Sequence, residues 1–161
     1  MSEPPRFDAF RDSIKSGAEQ VRLTLEPDED WIPTLFMDAP QGFMAMPLIL
    51  EDGSELFGQP GLELVTAVIV KSQARLVARI QMGWAANAIS GDTRRPGDRP
   101  DRSEVLILQV AEPGRQEVWM AEVTRNEDAS PDLDEWELSE AAGGPIADAL
   151  AAAIQVASQQ N

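Results

Sequence analysis

Val105-Leu106-Ile107-Leu108-Gln109-Val110 is the stretch that most narrows what this chain can become. Side chains of a β-strand alternate between the two faces of its sheet. A run that is apolar at odd and even positions alike can show neither face to water, so it reads as a central strand, Glu104 to Glu112, covered on both sides. Glu112-Pro113-Gly114-Arg115 follows as a tight turn. Glu117 to Thr124 then reads as the returning hairpin arm, with Trp119, Ala121 and Val123 on one face.

Upstream, Phe7, Phe10, Ile14, Ala18, Val21 and Leu25 recur at helical spacing and predict an amphipathic helix behind Pro4 and Pro5. Trp31 to Met37 and Phe43 to Leu50 read as strands. Pro33 and Pro47 place them at an edge or an irregular start. Residues 61–74 read as a helix carrying Leu62, Val65 and Ile69, because nothing in Lys71-Ser72-Gln73-Ala74-Arg75 could close a hairpin. Leu76, Ala78, Ile80, Met82 and Trp84 alternate with Arg79 and Gln81, the pattern of a half-buried strand. Asn126 to Glu140 holds seven carboxylates and no base and reads as irregular. Gly143-Gly144-Pro145 opens a last helix with Ile146, Leu150, Ala153, Ile154 and Ala157 inward. The expected fold is a single α+β domain over residues 1–161. It has a mainly antiparallel five-stranded sheet and three helices in the order α-β-β-α-β-β-β-α, with the helices on one face in a two-layer or three-layer sandwich.

Composition limits the chemistry. The 161 residues include no histidine, cysteine or tyrosine. That removes thiol nucleophiles, Ser–His–Asp triads, imidazole shuttles and zinc sites built on His or Cys. Zero cysteines also exclude disulfides. No secretory signal and no apolar run of membrane length can be read, so a cytoplasmic location is expected, without membrane contact. A formal net charge of −15 opposes direct nucleic-acid binding. The same charge fits either ordinary solubility or mimicry of a polyanion.

The candidate binding residues cluster around one loop. Trp84 ends a predicted strand, Asn87 follows it, and Arg94, Arg95, Arg99 and Arg102 supply four of the chain's 13 basic residues. Guanidinium groups suit bidentate contact with carboxylate or phosphate. Interleaved Asp92, Asp98 and Asp101 allow the opposite reading, a loop paired with itself. Glu104 and Glu122 are strand carboxylates expected to face solvent or to pair with a strand arginine such as Arg79. The acidic stretches 26–30 and 128–137 match no calcium-loop spacing, so no metal ligand, cofactor or catalytic residue is assigned.

Arg95-Pro96-Gly97-Asp98-Arg99-Pro100-Asp101-Arg102-Ser103-Glu104 resembles an R-P-x-x-x-P-x-R-x-E pattern between two strands in a group of small bacterial and phage-associated proteins. The resemblance spans about residues 60–125 and implies no activity. Gly83 stands where such proteins often carry an acid before the tryptophan. Three functions stay open at this stage. One is a non-enzymatic protein-interaction or self-assembling domain, acting on a protein partner or as a homo-oligomer. Another is an acidic inhibitor that occupies the basic groove of a nucleic-acid-binding protein. The third is an enzyme dependent on carboxylates or a divalent metal.

Overall fold

The computed structural model describes residues 6–49, 58–85, 103–139 and 145–159. Three helices and seven strands run in the order α1 (Arg6–Arg22), β1 (Thr34–Ala39), β2 (Gly42–Pro47), α2 (Gly58–Ser72), β3 (Leu76–Ala85), β4 (Ser103–Glu112), β5 (Arg115–Thr124), β6 (Asp132–Leu133), β7 (Glu137–Leu138) and α3 (Pro145–Gln159). The sheet order is β2-β1-β3-β4-β5-β6, with β7 also on β5, and every pairing is antiparallel. The expected α+β class holds. The five-stranded count does not, because Asn126–Glu140 contributes two short strands that cap β5. Each is two residues long, too short for any alternation to show in the sequence.

The helices occupy both faces of the sheet rather than one. Phe7, Phe10, Ile14 and Ala18 of α1 pack with Leu76, Ala78, Ile80, Leu106, Leu108 and Val110. On the reverse, Val65 and Ile69 of α2 and Leu150, Ala153, Ile154 and Ala157 of α3 pack with Leu35, Met37, Val77 and Ala111. The apolar run in β4 is therefore met from two sides, as its composition requires. β3 is likewise buried on both faces along Leu76–Ile80, so it is not the half-buried strand its alternation predicts. Arg79 is only 7 % exposed, beside Gln109 on the neighbouring strand, and lies on the face covered by α2 and α3.

Local chemistry sets the joints. Trp31 lies ahead of β1, because Pro33 cannot donate to a ladder, and its ring is 1 % exposed. Its indole N–H donates to the Ala18 carbonyl at 2.9 Å, fastening α1 to the sheet. Pro33 starts an interior strand, and only Pro47 marks a true edge, on β2. Val21, expected on the buried stripe of α1, is instead 43 % exposed, so that stripe ends at Ala18 within the helix. Pro113-Gly114 makes the β4–β5 turn, with Gly114 at φ 81°, a value that favours glycine.

α2 ends without a glycine. Gln73 sits at φ 56°, its N–H bonds the Val70 carbonyl, and the Ala74 N–H reaches back to Ile69. That is a Schellman cap, completed by contact between fully buried Ala74 and Ile69. A side chain in this left-handed conformation costs about 1 kcal/mol relative to glycine. Gln73→Gly is therefore expected to raise stability by about 0.5–1 kcal/mol, read as a higher urea midpoint with an unchanged slope.

Candidate functional site

Of the candidate binding residues around the arginine loop, the described structure places Trp84 alone. Asn87, Arg94, Arg95, Arg99 and Arg102 lie outside the described residues. Trp84 is 47 % exposed near the end of β3, directly opposite Glu104 of β4. Glu104 in turn is held by an arginine that sequence reasoning did not select.

Arg125 stands just beyond β5 and grips Glu104 with two parallel bonds, Nε to Oε2 at 3.0 Å and Nη2 to Oε1 at 2.6 Å. Nη2 also donates to Asp30, and Nη1 donates to the carbonyls of Pro27 and Glu29. One planar fork thus joins β4 to the acidic turn after α1, a geometry lysine could not supply. The hydrogen bonds to Glu104 and Asp30 hold the guanidinium pKa above its ordinary value against the opposing effect of burial. Glu104 is therefore paired with Arg125 and not with Arg79, which lies on the opposite face of the sheet. The hairpin contains the signal. A turn that pairs Glu112 with Arg115 sets Glu104 across from Val123, and Arg125 is the diagonal neighbour two residues on.

This contact shapes an open cleft of ≈ 650 Å³, lined by Pro27, Asp28, Asp30, Glu104, Arg125 and Glu127, among others. It brings Asp28 and Asp30 of the turn after α1 beside Glu104 and Glu127. Among the described residues no three carboxylates converge as a metal site.

A second cluster binds α1 to β5. Glu117 accepts from Arg11 at 3.1 Å, from Arg115 at 3.0 Å and from the Trp119 indole at 2.9 Å. Lys15 Nζ sits 3.3 Å from the centroid of the Trp119 ring. Burial and the nearby Arg11 charge lower the Lys15 pKa. Burial alone would raise the Glu117 pKa, but the three hydrogen bonds outweigh it and hold the carboxyl below 4.5. A depressed carboxylate stabilises the fold above its unfolded pKa, and that contribution is lost as pH falls through the folded value. Glu117→Gln is expected to cost about 1–3 kcal/mol at neutral pH. The difference from the parent should shrink on acidification below 4.5, measured by urea unfolding across pH.

The third feature is a surface that carries little charge. The sequences of α2 and α3, 15 residues each, contain three charged residues between them, Glu63, Lys71 and Asp148. α1, with 17 residues, contains seven. The exposed positions described in α2 are Glu63, Leu64, Ala67 and Lys71, and in α3 they include Ala152 and Val156. A groove of ≈ 500 Å³ runs between the helices, floored by Ala153 and bordered by Leu62, Thr66, Ala149 and Val156. A second, of ≈ 610 Å³, separates α2 from the edge strand β2 and is lined by Met37, Met44, Met46 and Val68. No described helix is long and apolar enough to cross a membrane.

These features define the class as an antiparallel sheet sandwiched between one polar helix and a pair of apolar ones. Comparison with protein families, curated proteins and solved structures finds no match.

Proposed function

We propose that this chain is a non-enzymatic protein-recognition domain that works through the outer face of α2 and α3. The observation that carries this reading is the segregation of charge. In a chain of net charge −15, two adjacent helices keep three charged residues in thirty positions. A helix that is apolar nearly all round belongs in an interior, and here one flank meets the sheet while the other meets solvent among the described residues. Contiguous exposed apolar surface flanked by grooves is the usual mark of a protein interface.

Ala67→Glu combined with Ala152→Glu tests it. Both side chains are exposed, so the circular dichroism spectrum and melting temperature should stay near those of the parent. Association, followed by sedimentation velocity and by affinity capture, should disappear. Unchanged association in the double variant would overturn the reading, as would a parent that is strictly monomeric and captures nothing.

A second reading rests on a different observation. Arg125 holds Asp30 and Glu104 in one cleft with Asp28 and Glu127, an acidic pole. Such a pole favours a basic partner, as a polyanion mimic requires. Poly-lysine should then bind with an affinity that falls steeply as salt is raised, and replacing Asp28, Glu127 and Asp128 by Asn or Gln should weaken it. Salt-independent binding, or none, would dispose of this alternative.

A further inference from the structure

β2 is the outer strand of the sheet, and among the described residues it has a neighbouring strand on one side only. Its register tells which backbone groups that leaves over. The Leu48 N–H bonds the Pro33 carbonyl at 2.7 Å, so these two residues form a hydrogen-bonded pair. Bonded and non-bonded pairs alternate along an antiparallel ladder. Counting back along the register, Met46, Met44 and Gly42 turn their N–H and C=O groups toward β1. Phe43 and Ala45 turn theirs outward, and both residues are exposed. Pro47 adds an outward carbonyl alone.

The side chains of the same strand build a groove. Met44 and Met46 lie on the α2 face, where with Met37 and Val68 they line the space of ≈ 610 Å³ between β2 and α2. Thioether side chains adapt to whatever apolar group they meet. The polar residues around it are Gln41, Lys71 and Ser72, and no acid is among the described residues that line it. The Ser72 hydroxyl already donates to the Val68 carbonyl. Lys71 is exposed, as is Arg75, whose N–H bonds the Asp38 carbonyl of β1 at 2.8 Å. Neither side chain makes an ion pair among the described residues.

We infer that this groove takes an extended stretch of another protein, laid beside β2 as an added strand, with apolar side chains over Met44 and Met46 and an acidic side chain at Lys71. The site is distinct from the outer face of α2 and α3 and does not require it. An extended backbone pairs with the outward groups of Phe43 and Ala45, and its period of two carries every second side chain into the groove. Charge selects the occupant. In a chain of net charge −15, the ionic group lining this groove is a lysine. A second copy of β2, Gly42–Pro47, brings no carboxylate to meet it. A free chain end is a poorer match than an acidic side chain. A terminal carboxylate is captured by convergent backbone N–H groups, whereas α2 brings its carbonyl end here, with Lys71 in the last turn.

The probe is a fluorescent peptide with both ends blocked, Glu-Thr-Val-Thr-Val-Thr-Glu, followed by anisotropy. Its glutamates and valines share one face whichever way it runs. It should bind the parent, about threefold more weakly once both glutamates are glutamine. Lys71→Glu should weaken binding about tenfold, and a peptide with lysine in place of glutamate should recover it. Ala45→Pro removes an outward N–H and none of the bonds to β1, and it should abolish binding. Two N-methylated peptides, one modified at the threonines and one at the valines, test the same pairing without altering the protein. One should lose binding and the other keep it, because only alternate amides of an added strand face β2. Binding should persist in the Ala67→Glu, Ala152→Glu double variant. A parent that does not bind the peptide overturns the inference and leaves the α2–α3 face intact. Equal behaviour of the two N-methylated peptides overturns strand pairing, and binding unchanged by Lys71→Glu overturns the acidic contact. Tighter binding of a glutamine peptide with a free carboxyl end would put a chain terminus in the groove instead. A parent dimer split by Ala45→Pro would put a second copy there, and either result overturns the proposed occupant.

Discussion

Burial of β3 and β4 from both sides is the constraint on which the rest of this structure depends. Leu106, Leu108 and Val110 point to α1, while Val77 and Ala111 point to α2 and α3. A sheet of this kind cannot stop at two layers, because either face left open would expose a row of aliphatic side chains. The demand for cover falls on helices at three separate places in the chain, and it decides their character. α1 has a wet side and carries charge there. α2 and α3 lie against the sheet and against each other, and their sequences carry almost none.

Polar anchors hold the layers in place. Arg125 and Glu117 each collect several partners from distant parts of the chain, and in both cases the electrostatic group is only partly buried. An exposed ion pair contributes at most about 1 kcal/mol, so what stability these anchors add comes from gathering several partners on one half-buried group. The Trp31 indole bond to the Ala18 carbonyl differs, being fully enclosed, so water would not replace it if it were lost. Gln109 presents the converse case. Its Oε1 is buried and has no hydrogen-bond partner among the described residues, on the same face as Arg79. This is the one polar patch in an otherwise aliphatic layer.

How much of this could be read beforehand depended on the range of the interaction involved. Helical periodicity and the continuous run in β4 are local signals, and they located all three helices and the five long strands to within a few residues. The number of layers was a different matter. Alternation in Leu76–Trp84 pointed to one wet face, yet Val77 and Arg79 are buried, because that side is closed by α2, which ends just before β3, together with α3, which begins 60 residues after β3 ends. β6 and β7 exist only as partners for β5, so no propensity announced them. At the candidate site, attention to the density of arginines favoured residues 94–102. The guanidinium with the most described partners is Arg125, an isolated residue after a strand, and only hairpin arithmetic would have led to Glu104.

The placement of α1 and α3 on opposite faces has a consequence for engineering the molecule. The start of α1 and the end of α3 lie on opposite faces of the sheet. Circular permutation, which joins old ends and opens new ones, needs a short bridge in most domains because their ends lie close together. Here the bridge must travel around a rim of the sheet, so a permutant closed by a few glycines would strain one helix away from its seat.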